Sequence, residues 1–298
     1  MSIQGDVSGH GRHSVGENTR RRLLAGLPVR ERQLHLSGIA TVVLEGGDGP
    51  PLVLLHGPGG NAAHWMRVIP ELVTTHRVIA PDLPGQGESV VAEGLLSGER
   101  VVAWLAELIE RTCASPPALA GFALGGAIAA RFASREPDRL GRLALVDTLG
   151  LVPFDPTPDF GRALSDFLTQ PTERAHDLPW RRCAADLDRL RQQMGERWEP
   201  FRAYNVERAS TPSARAALDV LMAQLGAPPI PPADLAHIVV PTSLIWGRYD
   251  LATRLAVAES TSARYRWPLH VIEDCGDDPP LEQPDAFLRA LHVALVES

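Results

Sequence analysis

The sequence predicts an α/β fold built on a mostly parallel, doubly wound sheet with an inserted helical cap. Three observations carry this. Short continuous apolar runs, as in Pro51-Leu52-Val53-Leu54-Leu55 and Leu143-Ala144-Leu145-Val146, alternate with helix-spaced segments, the pattern of strands buried on both faces. The stretch Ala118–Ala130 reads as a strand, a glycine-bracketed turn and a small-residue helix. Finally, the alternation stops between about 150 and 232, where the pattern is helical and Pro-rich stretches stand at both ends.

In chain order, residues 1–30 read as a disordered tail, because they are polar and basic with no periodic apolar face. Arg20-Arg21-Arg22 is not read as a twin-arginine export signal, since Arg30-Glu31-Arg32 stands where a small-residue cleavage site belongs. Residues 31–149 and 233–298 form the core. Glu31–Leu36 and Ile39–Leu44 are antiparallel strands joined at Ser37-Gly38. The run 51–55 leads into His56-Gly57-Pro58-Gly59-Gly60, and a helix follows over 61–73. Arg77–Ala80 is a strand ending in Pro81-Asp82-Leu83-Pro84-Gly85, and Gly98–Cys113 carries Val101, Val102, Leu105, Leu108 and Ile109 on one helical face. After the cap, strands are expected at Ile238–Val240, Ser243–Trp246 and Leu269–Glu273, then a closing helix from Pro284.

Composition narrows the function. A chain of 298 residues with 44% hydrophobic residues buries an ample core. A net charge of -7 opposes a nucleic-acid partner, which needs a basic surface. No apolar run reaches the roughly 20 residues of a membrane span. Three cysteines without a C-x-x-C pair fit a reducing, cytoplasmic setting and supply no metal site, and no cofactor motif is present. A small-molecule partner remains.

The turn Gly121-Phe122-Ala123-Leu124-Gly125 has the form of a nucleophile elbow, G-x-S-x-G, with alanine at its centre. With it stand His56-Gly57, the Pro81-Asp82-Leu83-Pro84-Gly85-x-Gly87-x-Ser89 loop, Gly247-Arg248-x-Asp250, and Gly276-x-x-Pro279-x-x-Glu282-x-Pro284. Five anchors in this order over 31–298 resemble the α/β-hydrolase superfamily, its cofactor-free, lid-bearing branch of esterases, lactonases, epoxide hydrolases and C–C bond hydrolases.

The resemblance implies a Ser…Asp…His triad in chain order. Matched residue by residue, the acid is Asp250, the nucleophile position is Ala123 and the histidine position is Asp277. Two of the three members are replaced. The oxyanion hole is expected at the amide of Leu124 and the residue after His56-Gly57; that residue is Pro58, which has no N–H, leaving Gly59 as a substitute. His56 is expected to brace its loop, and His64 and Trp65 stand nearest the cleft as candidate pocket residues.

An aspartate (pKa ~3.9) is a much weaker base at neutral pH than an imidazole (~6.5), so acyl-enzyme hydrolysis is not expected. Asp250 and Asp277 are expected to converge, and two carboxylates in a dry cleft raise one pKa. The chemistry so implied is non-covalent acid–base catalysis on a small apolar substrate: cyclisation, elimination, decarboxylation or water addition. Two alternatives stand beside it: an inactive ligand-binding or scaffold protein, and a hydrolase whose Asp277 activates water directly.

Overall fold

The computed structural model describes residues 15–92, 94 and 96–296. Residues 1–14 of the expected tail lie outside the described residues. Within the described part of that stretch, Val15–Leu24 is helix α1, and strand β1, Arg30–Leu36, follows after five residues. Polar composition hid this helix, because the buried side chains described on it include Thr19 and Arg20 beside Leu23. Leu23 is wholly buried, and Arg20 is only 3% exposed.

Strand β2 (Ile39–Gly46) pairs antiparallel with β1, followed by β3 (Pro51–Leu55), β4 (Arg77–Pro81) and a two-residue β5 (Val90–Val91). Then come β6 (Ala118–Phe122), β7 (Arg142–Val146), β8 (Thr242–Gly247) and β9 (Leu269–Ile272). Among the described residues these form one nine-stranded sheet in the order β1-β2-β4-β3-β6-β7-β8-β9, with β5 beside β2. Pairing is parallel from β4 through β9. The expected strand at 238–240 is absent: β8 starts only at Thr242, after Pro241, whose carbonyl accepts from Leu143.

The continuous apolar runs are explained by period-2 alternation between two covered faces. In β3, Val53 and Leu55 join one core cluster while Leu52 and Leu54 join the other. The first face is covered by α3 (Gly98–Thr112) and α4 (Leu124–Arg135), which bring Trp104 and Phe132. The second lies under the expected 61–73 helix, which divides into a 3-10 turn, Ala62–Arg67, and a short α2, Ile69–Leu72, with Pro70 at its start.

Between β7 and β8 the chain is helical: α5 (Pro158–Thr169), α6 (Glu173–Cys183), α7 (Leu187–Met194), α8 (Trp198–Ser210), α9 (Pro212–Leu221), a π-turn at Met222–Gly226 and α10 (Pro232–Ala236). Leu187, Leu190, Trp198 and Phe201 of this insertion bury against Leu23 of α1 and Met66 of the 3-10 turn. Helix α11 (Leu255–Tyr265), the single turn α12 (Pro279–Glu282) and α13 (Pro284–Val296) complete the core. Strand order reverses direction of growth between β3 and β6, so the loops after these two strands meet at the sheet's carboxyl edge, where open α/β sheets form sites.

Candidate active site

The turn after β6 is set by glycines that have no room for a side chain. A Cβ on Gly121 would stand 2.5 Å from the Gly125 carbonyl oxygen, and one on Gly125 would stand 2.3 Å from that of Leu55. This closeness forces Ala123 to φ 47°, ψ -108°, a costly conformation for a residue with a Cβ. Its amide donates to Val146 and its carbonyl accepts from Ala127 and Leu149. Ala123 therefore stands half-buried at the crest of the turn, and Leu124 supplies the first amide of α4.

The loop after β3 leans on the same point. A Cβ on Gly57 would be 2.7 Å from the Phe122 ring and 3.5 Å from the Ala123 methyl. Nδ1 of His56 donates to the Gly57 carbonyl at 2.8 Å, and Nε2 accepts from the Leu83 amide at 2.9 Å. Both nitrogens are thus committed to backbone, and burial pushes the imidazole pKa down to about 4. His56 braces this loop, as its sequence context implies. Past Pro58, Gly59 has φ 66° and faces Leu218 of α9.

His64 and Trp65 do not line an open pocket. Trp65 is wholly buried in the second core cluster, its ring 6.0 Å from that of Phe287. His64 stacks on Phe122 with centroids 4.8 Å apart, and its Nε2 lies 3.1 Å from Asp278 Oδ1. The tight 3-10 turn rolls both side chains inward, a rotation that helix periodicity alone does not reveal.

The carboxyl groups do converge. Asp250 Oδ1 accepts from the Ala252 and Thr253 amides at 2.7 and 2.8 Å. Burial raises its pKa to about 7, against the opposing pull of those amides. Asp277, on the loop after β9, lies within the electrostatic reach of Asp250, and burial followed by the Asp250, Asp278 and Glu282 charges raises it well above the carboxylate range. A third acid belongs to the group and escaped the sequence reading: Asp147, directly after β7, at φ 40°. Burial and then Asp250 raise its pKa as well. Its position at the end of the Leu143–Val146 run was the available signal.

The helical insertion closes on this cluster. The Asp277 amide donates to the Cys183 carbonyl at 3.1 Å, and Glu282 Oε2 accepts from the Ala185 amide at 2.7 Å. A Cβ on Gly276 would lie 1.7 Å from the Cys183 carbonyl oxygen. Gly276→Ala is therefore expected to push the 183–185 segment off the loop and cost about 1–3 kcal/mol, read by chemical denaturation. A cost under ~0.5 kcal/mol would show that this contact is not tight. Clefts of about 610 Å3, lined by residues such as Arg162 and Arg181, and about 640 Å3, lined by residues such as Arg67 and Asp285, lie elsewhere; Ala123, Asp250 and Asp277 line neither. Among the described residues no group of three or more His, Cys, Asp or Glu is arranged to hold a metal, and no helix is long and apolar enough to cross a membrane.

Comparison with known proteins accords with the fold. The profile described as "Alpha/beta hydrolase family" matches residues 52–290. The chain is 29% identical over 270 residues to a pimeloyl-[acyl-carrier protein] methyl ester esterase of Aeromonas hydrophila subsp. hydrophila, covering 82% of this chain and 95% of that protein. A shorter match, 40% identical over 124 residues, links it to a 2-hydroxy-6-oxo-2,4-heptadienoate hydrolase of Pseudomonas putida and spans 40% of this chain and 45% of the relative. Among solved structures, 2-hydroxy-6-oxo-6-phenylhexa-2,4-dienoate hydrolase from Rhodococcus sp. strain RHA1 superimposes with a TM-score of 0.76 at 26% identity, covering 88% of this chain and 97% of that one.

Proposed function

The chain belongs to the alpha/beta hydrolase family, and from that premise we propose an enzyme that acts on a small apolar substrate by non-covalent acid–base chemistry rather than through a serine acyl intermediate. The reaction is a cyclisation, elimination, decarboxylation or water addition. In this reading the family's nucleophile and histidine are both replaced, by Ala123 and Asp277.

The supporting observation is the cluster of Asp147, Asp250 and Asp277 at the carboxyl ends of adjacent strands, beside an elbow whose central side chain is a methyl. A carboxyl kept protonated near neutral pH donates a proton that an ordinary aspartate has already lost. Asp277 is the acid, less buried than Asp250 and within its electrostatic reach. The proton passes from the Asp277 carboxyl to substrate and returns from substrate or water, so no covalent intermediate forms. Action in the cytoplasm, on a small molecule and without nucleic acid, membrane or cofactor, belongs to the same proposal; the free thiols of Cys113, Cys183 and Cys275 support the reducing setting alone.

The test is a turnover screen on ester, lactone and epoxide panels and on substrates of proton-transfer reactions, with Asp277→Asn beside the native chain. Loss of one positioned acid is expected to lower turnover by at least ~10²-fold. Unchanged turnover in Asp277→Asn sinks the proposal. The joint Ala123→Ser and Asp277→His exchange is expected to create hydrolysis of short nitrophenyl esters that the native chain lacks.

A second reading has its own observation. The Cys183–Ala185 backbone seated on Gly276 and Asp277 favours a non-catalytic binding or scaffold protein on this fold. It predicts no turnover on any panel and no effect of Asp277→Asn. Direct activation of water by Asp277 is distinguished by hydrolysis that survives without the Ser and His exchange.

A further inference from the structure

The geometry points to a single proton held in common between the Asp147 and Asp250 carboxyls, which makes Asp147 a positioning residue for the Asp250 carboxyl. Strands β7 and β8 are parallel neighbours in register at Val146 and Ile245. The Asp147 amide donates to the Ile245 carbonyl at 3.1 Å, and Asp147 Oδ1 accepts from the Gly247 amide at 2.9 Å. These bonds pin the Asp147 carboxyl over the turn that bears Asp250 and offset part of the strain of its positive φ.

Each carboxyl spends one oxygen on backbone amides. The other, Oδ2 in both residues, is buried and receives no hydrogen bond from any conventional donor among the described residues. The two side chains are within hydrogen-bonding reach of one another. Two carboxylates at such range repel, on top of the cost of burial. One proton between them converts the repulsion into an O–H···O⁻ hydrogen bond.

A neighbouring cation would achieve the same result, but the surroundings supply acids. Asp277 and Cys275 face the pair from the loop after β9, and Glu282 faces it from α12. Arg248, on the Asp250 turn itself, is directed outward to Glu273. The pair titrates as a unit, so the proton belongs to both. The use of that proton as a reserve for Asp277 rests on the acid–base reading above; its existence does not.

The test is carboxyl-carbon NMR on the full chain with ¹³C-labelled aspartate, titrated from acid to mildly alkaline pH, which leaves Glu282 silent. In the native chain an aspartate carboxyl of the pair is expected to remain protonated near neutral pH. Asp147→Asn keeps the acceptor for Gly247 and offers an N–H to Asp250 Oδ2. Asp250 then faces that N–H with no second carboxyl to share a proton, so the protonated signal of the pair should vanish. The comparison is made in an Asp277→Asn background, which removes that residue's own raised carboxyl: the signal of the pair should persist there and vanish when Asp147→Asn or Asp250→Asn is added. The inference is overturned if every aspartate of the native chain is ionised at neutral pH, or if in the Asp277→Asn background the signal survives Asp147→Asn. The native titration needs no variant to fold, and it separates the two claims. A shared proton with unchanged Asp277→Asn turnover fails only the acid–base reading, whereas its absence with turnover lost fails only this one.

Discussion

Arg20→Ala is expected to destabilise the protein by about 3–5 kcal/mol, the cost of removing one partner from a buried ion pair. The guanidinium reaches Asp82 Oδ2 at 3.0 Å and Glu31 Oε1 at 2.6 Å, with Arg20 and Asp82 almost entirely buried. Asp82 also accepts from the Ala62 and Glu88 amides at 2.6 and 2.9 Å, so its charge organises two loops at the carboxyl edge of the sheet. Tyr204 of α8 lies 3.4 Å from the same guanidinium and donates to Glu88 at 2.6 Å. One arginine on α1 therefore joins the N-terminal helix, the sheet edge and the helical insertion. Chemical denaturation of Arg20→Ala and of the Arg20→Ala, Asp82→Asn pair checks this. The double variant should recover part of the loss, because the uncompensated buried charge is gone. A single-variant cost below ~1 kcal/mol would mean that the network carries no more than an exposed ion pair.

His176→Gln is expected to gain about 3 kcal/mol in stability relative to the native chain on going from pH 7 to pH 4, since each pKa unit is worth about 1.4 kcal/mol. His176 Nε2 accepts from Trp180 Nε1–H at 3.1 Å and lies 3.3 Å from Asn205 Nδ2 inside a cage with Phe167, Trp198 and Phe201. Burial lowers its pKa to about 4, despite the raising influence of Asp177. The sign follows from proton counts. Between pH 6.5 and 4 the unfolded chain binds a proton that the folded imidazole refuses, so stability from this group is full above 6.5 and is lost as pH falls towards 4. His56 acts in the same direction.

Asp250 and Glu282 act in the opposite direction. Their folded values near 7 contribute stability that is full below the ordinary carboxylate range and lost as pH rises to 7. The two sets offset, so the difference between variant and native chain is the quantity to measure, by denaturation at both pH values. No change in that difference would mean that His176 titrates normally.

The sequence by itself determined the sheet and the position of the site. Strands buried on both faces need unbroken apolar runs, and a strand-to-helix reversal as tight as 121–125 tolerates no Cβ at its flanking glycines, so both leave local marks. The alanine at the centre of that turn, Ala123, and the aspartate after Gly276, Asp277, are equally legible in the sequence.

Tertiary structure decided the rest. Helix α1 looks like solvated chain because its burial rests on Arg20 and Leu23 rather than on a repeating apolar face. Trp65 turns into the core because a 3-10 turn replaced the expected helix. Asp147 and Asp250 meet across a gap in which the whole helical insertion intervenes, brought together by the pairing of β7 with β8. Their burial, which raises the pKa of both, comes from elements distant in the chain. Local pattern encodes which residues lie on which face; the meeting of charges and the loss of their solvent arise only when the faces pack.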